Sequence, residues 1–85
     1  MRREINITIK YYSGIARELG LEGYDSAKGV VLTVRAGTRL RTVLRRAGLR
    51  RLARYSYFRG GERISAWRVL KDRDEVSCLK PSGGG

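Results

Sequence analysis

The fold of this 85-residue chain is limited first by a strict alternation of apolar and polar residues near its start. From Ile5 to Tyr11 every second residue is apolar, which predicts a β-strand with one buried face. The same alternation returns from Val30 to Val34. The sequence therefore predicts two strands, paired as in a hairpin and joined by a long connection at residues 13–29.

One main amphipathic helix is predicted after the second strand. Its apolar residues recur at i, i+3, i+4 and i+7 and so share one face. Thr38 is the predicted N-cap and Gly48 the predicted end. A shorter helix is predicted after the first strand, capped by Ser13 and stopped by Gly20. The predicted apolar stripe of the main helix consists of Leu40, Val43, Leu44 and Ala47.

The C-terminal half contains a predicted hairpin and a final strand. Gly60-Gly61 separates two short strands at residues 55–58 and 62–64, and glycine readily adopts the positive φ of a tight hairpin turn. A last strand at residues 75–80 places Val76 and Cys78 on one side. Pro81 has no backbone donor, so the residues after it are expected to leave the sheet.

This order of elements predicts an α+β domain in which a mixed sheet packs on one main helix, with a short extra helix after the first strand. That arrangement is compatible with the β-grasp fold. We expect a single domain at residues 1–80 and a flexible C-terminal glycine tail at residues 81–85. Asp72 and Asp74 are interpreted as turn-forming residues between the hairpin and the last strand.

The composition excludes several classes of function. The chain has no histidine and one cysteine, Cys78, so the common zinc spacings and nucleophile-base pairs are missing. Catalysis by this chain alone is not expected, and Cys78 is interpreted as a small core residue. No intrachain disulfide can form, and neither a long apolar run nor a secretory signal is found. We expect a cytoplasmic protein that contacts no membrane.

A formal net charge of +11 requires an explanation. Fifteen of the nineteen basic residues are arginines, and many lie on the predicted main helix or in the segment just after it. Two interpretations stay open: a solvated basic surface, or a surface that binds an acidic protein or RNA. The basic residues of this region are Arg39, Arg41, Arg45, Arg46, Arg50, Arg51 and Arg54.

The sequence ends in Gly83-Gly84-Gly85 after Pro81-Ser82. This ending is either an unstructured terminus or a chemical handle. The second interpretation is favoured by a resemblance: Lys71-Asp72-Arg73-Asp74-Glu75-Val76, then Pro81 and Gly84-Gly85, resembles the closing signature of the MoaD/ThiS ubiquitin-like sulfur carriers, L-x-D-G-D-E-V followed by prolines and G-G.

Two further stretches extend the resemblance over most of the chain. Ala16-Arg17-Glu18-Leu19-Gly20 resembles the helix of the molybdopterin synthase small subunit, and Arg59-Gly60-Gly61-Glu62 occupies the place of the family's V-N-G-x turn. Three positions depart from the pattern. Arg73 replaces the usual glycine of D-G-D, Gly60 replaces asparagine, and Lys80-Pro81-Ser82 replaces a more apolar segment.

The resemblance implies a ubiquitin-like β-grasp carrier rather than an enzyme. An activating enzyme of the ubiquitin-activating type would use ATP and magnesium to adenylate the Gly85 carboxylate, and a sulfur donor would convert it to a thiocarboxylate. Gly83 and Gly84 would thread a narrow channel because they lack Cβ atoms. Leu79, with Phe58, would form the surface that docks on a partner. No cofactor or metal is expected on the chain itself.

The resemblance leaves the acceptor open. Molybdopterin synthesis, thiolation of tRNA, thiamine synthesis and protein conjugation all use similar carriers. The partner would be the large subunit of molybdopterin synthase in the first case and lysines of target proteins in the last. The long connection at residues 13–29 favours molybdopterin synthesis, or the related archaeal small modifiers, over the minimal thiamine carrier. A different class of function also stays open: residues 40–62 faintly resemble a small basic RNA-binding module, which would make RNA the partner.

Overall fold

The computed structural model describes residues 3–81, which form one five-stranded sheet and two α-helices. A short 3₁₀ helix, Leu52–Arg54, lies between the second α-helix and the third strand. In chain order the elements are β1 (Glu4–Tyr11), α1 (Ile15–Glu18), β2 (Val30–Arg35), α2 (Leu40–Ala47), β3 (Ser56–Arg59), β4 (Glu62–Ile64) and β5 (Glu75–Leu79).

The strands lie in the order β2-β1-β5-β3-β4. The first strand pairs antiparallel with β2, in register from Glu4 opposite Arg35 to Ile9 opposite Val30. On its other side β1 pairs with β5 in parallel, and β3 pairs antiparallel with both β5 and β4. The predicted mixed sheet and the pairing of the first two strands are therefore confirmed, and the last strand lies at the centre of the sheet.

The core lies between one face of this sheet and α2. The apolar residues of β1 are buried as the sequence predicts, and Val76 and Cys78 of β5 are fully buried beside them. The apolar residues of β2 face the same side but are only partly buried against this core. The apolar face of α2 completes the cluster. Fully buried side chains with the largest volumes are Ile7, Ile9, Ile15, Leu40, Leu44, Val76 and Cys78.

Both predicted side-chain caps are wrong. Arg39, not Thr38, is the N-cap of α2, and the first helical N–H groups donate to backbone carbonyls instead: Leu40 to Arg68 at 3.0 Å and Arg41 to Ala66 at 2.7 Å. These carbonyls satisfy the free donors of the helix terminus, so no side-chain cap is needed. Ser13 is not the N-cap of α1 for another reason. The chain turns sharply after β1, so that Ser13 has a φ of 58° and Gly14 takes the N-cap position.

The predicted apolar stripe of α2 is wrong at its last position, Ala47. Gly48 has a φ of 114°, and the N–H of Leu49 donates to the Leu44 carbonyl at 3.0 Å, which forms a Schellman motif. This turn carries Leu49 back into the core, where it is 3% exposed, whereas Ala47 lies on the surface. The fourth apolar contact of the helix region therefore comes from the residue after the cap.

The tight hairpin between β3 and β4 is confirmed. Gly60 and Gly61 have φ values of 59° and 80°, as a two-residue turn of the primed type requires. Within residues 3–81, no helix is both long and apolar enough to cross a membrane.

Candidate functional site

The exit of the chain from β5 is the point at which the fold presents its C-terminal segment. Because β1 and β3 pair with β5 on its two sides, the strand is fixed up to Leu79. The Cys78 carbonyl accepts a hydrogen bond of 2.9 Å from the Tyr12 N–H. Lys80 and Pro81 then leave the sheet and are exposed. The predicted handle residues Gly83, Gly84 and Gly85 lie outside the described residues, as does the predicted tail after Pro81.

Lys80, the first exposed residue after β5, contacts the short helix α1. The ammonium group of Lys80 forms an ion pair with a carboxylate oxygen of Glu18. Tyr55 Oη donates to the other oxygen of the same carboxylate at 3.3 Å. Pro81 lines a shallow groove of about 480 Å³ together with Arg54 and these three residues. The short extra helix thus holds the chain at the base of the C-terminal segment.

Phe58 and Leu79, the predicted partner-binding residues, lie on one face of the sheet. In the antiparallel pairing Phe58 is opposite Ser77, so its side chain and that of Leu79 point away from the core. Both line an open groove of about 590 Å³ that also contains Tyr12, Ser77 and the Gly60-Gly61 turn. The structure therefore brings the two residues together. Their role in binding stays a prediction.

Asp72 and Asp74 form the turn before β5, as predicted. Their side chains also link this turn to β1 and β3. Asp72 Oδ1 accepts a hydrogen bond of 2.8 Å from the Asn6 N–H in β1. Asp74 Oδ2 accepts from the Lys71 N–H at 2.8 Å and from Arg59 Nη1 at 2.9 Å. The Arg59 contact joins residues 15 apart in sequence, and the sequence pattern alone gave no sign of it.

Cys78 offers no nucleophile at this site. Burial raises the pKa of its thiol to about 12, so the thiol stays protonated at neutral pH. The prediction that Cys78 is a small core residue is confirmed.

Lys10 and Glu75 form an ion pair of 2.9 Å on the outer face, and this hydrogen bond raises the pKa of Lys10. Among residues 3–81, no three cysteine or acidic side chains gather in a way that could hold a metal ion.

Comparison with solved structures decides the fold. SAMP1 from Haloferax volcanii superposes with a TM-score of 0.69 at 17% identity, over 94% of this chain and 99% of that one. The chain has the ubiquitin-like β-grasp fold. A Pyrococcus furiosus structure assigned by name to molybdopterin converting factor, subunit 1, gives a TM-score of 0.66 at 18% identity, over 91% of this chain and 98% of that one.

A third structure is also similar. The HVO 2177 protein of Haloferax volcanii gives a TM-score of 0.70 at 17% identity, over 96% of this chain and 88% of that one. Neither a protein-family model nor a curated protein matches the sequence. The β-grasp fold that the MoaD/ThiS resemblance implies is therefore confirmed by the structures, although none of these three sequences is more than 18% identical to this one.

Proposed function

We propose that this protein is a ubiquitin-like sulfur carrier that acts as the substrate of an activating enzyme rather than as an enzyme itself. One observation carries the proposal. The central strand β5 ends at Leu79, where the chain leaves the sheet beside the groove that contains Phe58. A carrier needs this arrangement, because a rigid domain can be held by the partner while the segment after it reaches an active site.

The reaction takes place at the Gly85 carboxylate. A carboxylate oxygen attacks the α-phosphorus of ATP, pyrophosphate leaves, and an acyl adenylate forms; ATP and magnesium are bound by the partner enzyme. A hydrosulfide ion delivered by the sulfur donor then attacks the carbonyl carbon, the bond from this carbon to the AMP oxygen breaks, and a thiocarboxylate and AMP result. Gly83 and Gly84 suit the approach to a narrow channel because they carry no Cβ atom. In a modifier, a lysine amine would attack the activated carbonyl instead.

Partner binding is assigned to the outer face of the sheet around Phe58 and Leu79. Both side chains are half-buried and outside the core, next to the point where the chain leaves β5. Apolar groups that are accessible at a surface often mark an interaction site. The test compares single alanine substitutions at these two residues with Val31→Ala. Val31 is 68% exposed on β2, at the other side of the same sheet face. We expect the first two to weaken binding of the activating enzyme and the third to leave it unchanged.

The experiment that tests adenylation is ATP-pyrophosphate exchange with the activating enzyme of the host. Full-length protein should support exchange, and the variant lacking Gly84 and Gly85 should not. Circular dichroism checks that the deletion leaves the sheet intact, since these residues follow the last strand. Exchange that continues at the same rate without the two glycines would refute the proposal.

Molybdopterin synthesis is the favoured pathway, with the large subunit of the synthase as the second partner. Support comes from the likeness to the structure assigned to molybdopterin converting factor, subunit 1, and from the long connection between β1 and β2. Lysines of target proteins are the alternative acceptor.

The buried free thiol of Cys78 suits a reducing compartment, and we place the protein in the cytoplasm.

A further inference from the structure

Arginine is concentrated in one part of the sequence that contains no acidic residue. Residues 36–61 contain eight arginines and no aspartate or glutamate. This stretch runs from the approach to α2 through the 3₁₀ helix to the end of β3. The carboxylates of Glu18 and Glu75, by contrast, lie near the exit of β5 and on the outer face of the sheet. Of the eight arginines, Arg59 pairs with Asp74 and Arg54 lines the groove beside Pro81. Arg41 and Arg45 line neither of the two grooves near the exit of β5.

A groove of about 640 Å³ lies within this basic region, beside α2. Arg41 and Arg45 line it, one helical turn apart, and none of its lining residues is acidic. The guanidinium Cζ of Arg41 lies 4.1 Å from the centre of the Trp67 ring, which is a cation-π contact. Trp67 is nevertheless 59% exposed, so a large part of its indole faces the solvent.

Trp67 is held in this position by its backbone. Its N–H donates to Ser65 Oγ at 3.0 Å, and its carbonyl accepts from Arg39 Nη1 at 2.7 Å. The neighbouring carbonyls of Ala66 and Arg68 accept from the first N–H groups of α2. These hydrogen bonds fix the backbone of Trp67 against the start of α2, and Arg41 already lies over the indole. Part of the groove is therefore ordered before any ligand binds, which lowers the entropy cost of binding.

We propose that this groove binds single-stranded nucleic acid, with a base stacked on Trp67 and phosphates contacted by Arg41 and Arg45. Proteins that bind single strands combine a basic groove with an exposed aromatic ring on which bases stack. An arginine that already lies over an aromatic ring still directs N–H donors outward, where a phosphate can accept them. This activity goes beyond the carrier function, because the groove shares no residue with the groove around Phe58 and Leu79.

The exposed indole is what favours nucleic acid over an acidic peptide. Charge alone attracts both ligands, but an exposed aromatic ring adds stacking affinity only for a partner with a flat π surface. Trp67 is the only tryptophan of the chain, so its fluorescence reports on this groove alone. Stacking of a base on the ring should quench that fluorescence, whereas a carboxylate bound to an arginine should not.

The test uses the full-length protein and a short oligouridine, with a polyglutamate of equal charge as the competing ligand. We expect oligouridine to bind and to quench Trp67 fluorescence. Trp67→Ala should weaken binding by about tenfold through the loss of stacking, and Trp67→Phe should restore most of it. The double variant Arg41→Gln, Arg45→Gln should lower the slope of log affinity against log salt by about 1.4, at about 0.7 per phosphate contact on a single strand.

A matched control separates a site from diffuse charge. The double variant Arg50→Gln, Arg51→Gln removes the same charge from exposed positions that do not line this groove. It should retain the quenching and most of the affinity. Equal losses in the two double variants would overturn the proposal, as would binding of oligouridine without quenching. Polyglutamate that binds as tightly and depends equally on Arg41 and Arg45 would assign the groove to an acidic protein instead. Deletion of Gly84 and Gly85 should leave oligouridine binding unchanged.

Discussion

Arg73 gives the most direct test of the local energetics, because its backbone adopts a conformation that suits glycine. Its φ is 68°, in the turn between Lys71 and Asp74, and its N–H donates to the Asn6 carbonyl at 2.7 Å. The conformation is therefore fixed by pairing with β1. The left-handed region costs an L-residue about 1 to 2 kcal/mol, and glycine loses roughly 0.5 to 1 kcal/mol more conformational freedom on folding. Arg73→Gly should stabilise the fold by about 0.5 to 1 kcal/mol.

Urea unfolding monitored by circular dichroism measures this difference. In a domain of this size, 0.5 to 1 kcal/mol corresponds to a rise of about 2 to 8 °C in the midpoint of thermal unfolding. Arg73→Ala is the matched control: it removes the same charge but keeps the Cβ atom, so its stability should stay close to that of the original protein. If Arg73→Gly is no more stable than Arg73→Ala, the strain argument at this turn is refuted.

Other substitutions test the packing around the site. Gly29→Ala should destabilise the fold strongly, because its Cβ would lie 2.8 Å from the Ile9 carbonyl oxygen; Gly23→Ala has a similar φ with open space around it and isolates the backbone cost. Asp74→Ala should cost about 1 to 3 kcal/mol in urea unfolding, since its carboxylate, 13% exposed, accepts two hydrogen bonds; an unchanged midpoint would contradict this. Cys78 should react with a thiol reagent at pH 8 only as fast as the protein unfolds, because its pKa is raised to about 12 and folding buries it; rapid labelling of native protein would show otherwise.

Strand positions could be predicted from the sequence because each strand buries one face against a single core. The alternation from Ile5 to Tyr11 therefore identified the buried residues of β1 correctly. The Gly60-Gly61 turn could also be predicted, since its positive φ values have a local chemical cause. Phe58 and Leu79 could be placed together because strand alternation and the family resemblance pointed to the same face.

Contacts between distant segments could not be predicted in the same way. The cap of α2 is formed by carbonyls of Ala66 and Arg68, more than twenty residues away, so the local choice of Thr38 was wrong. The ion pair between Lys80 and Glu18 joins residues 62 apart. The contact of Arg41 with Trp67 likewise depends on the folded path of the chain. Each of these arises from tertiary placement, which hydrophobic periodicity does not encode.

The most direct test of the carrier function is to locate sulfur on the protein by mass spectrometry. After reaction with the activating enzyme, ATP, magnesium and a sulfur donor, followed by reduction, cleavage at Arg73 releases residues 74–85, which contain both Cys78 and Gly85. We predict that this peptide gains the mass difference between sulfur and oxygen, and that fragmentation assigns it to Gly85. An unchanged mass after reduction would contradict this prediction, including the case in which sulfur is seen before reduction as an adduct of Cys78 and is then lost.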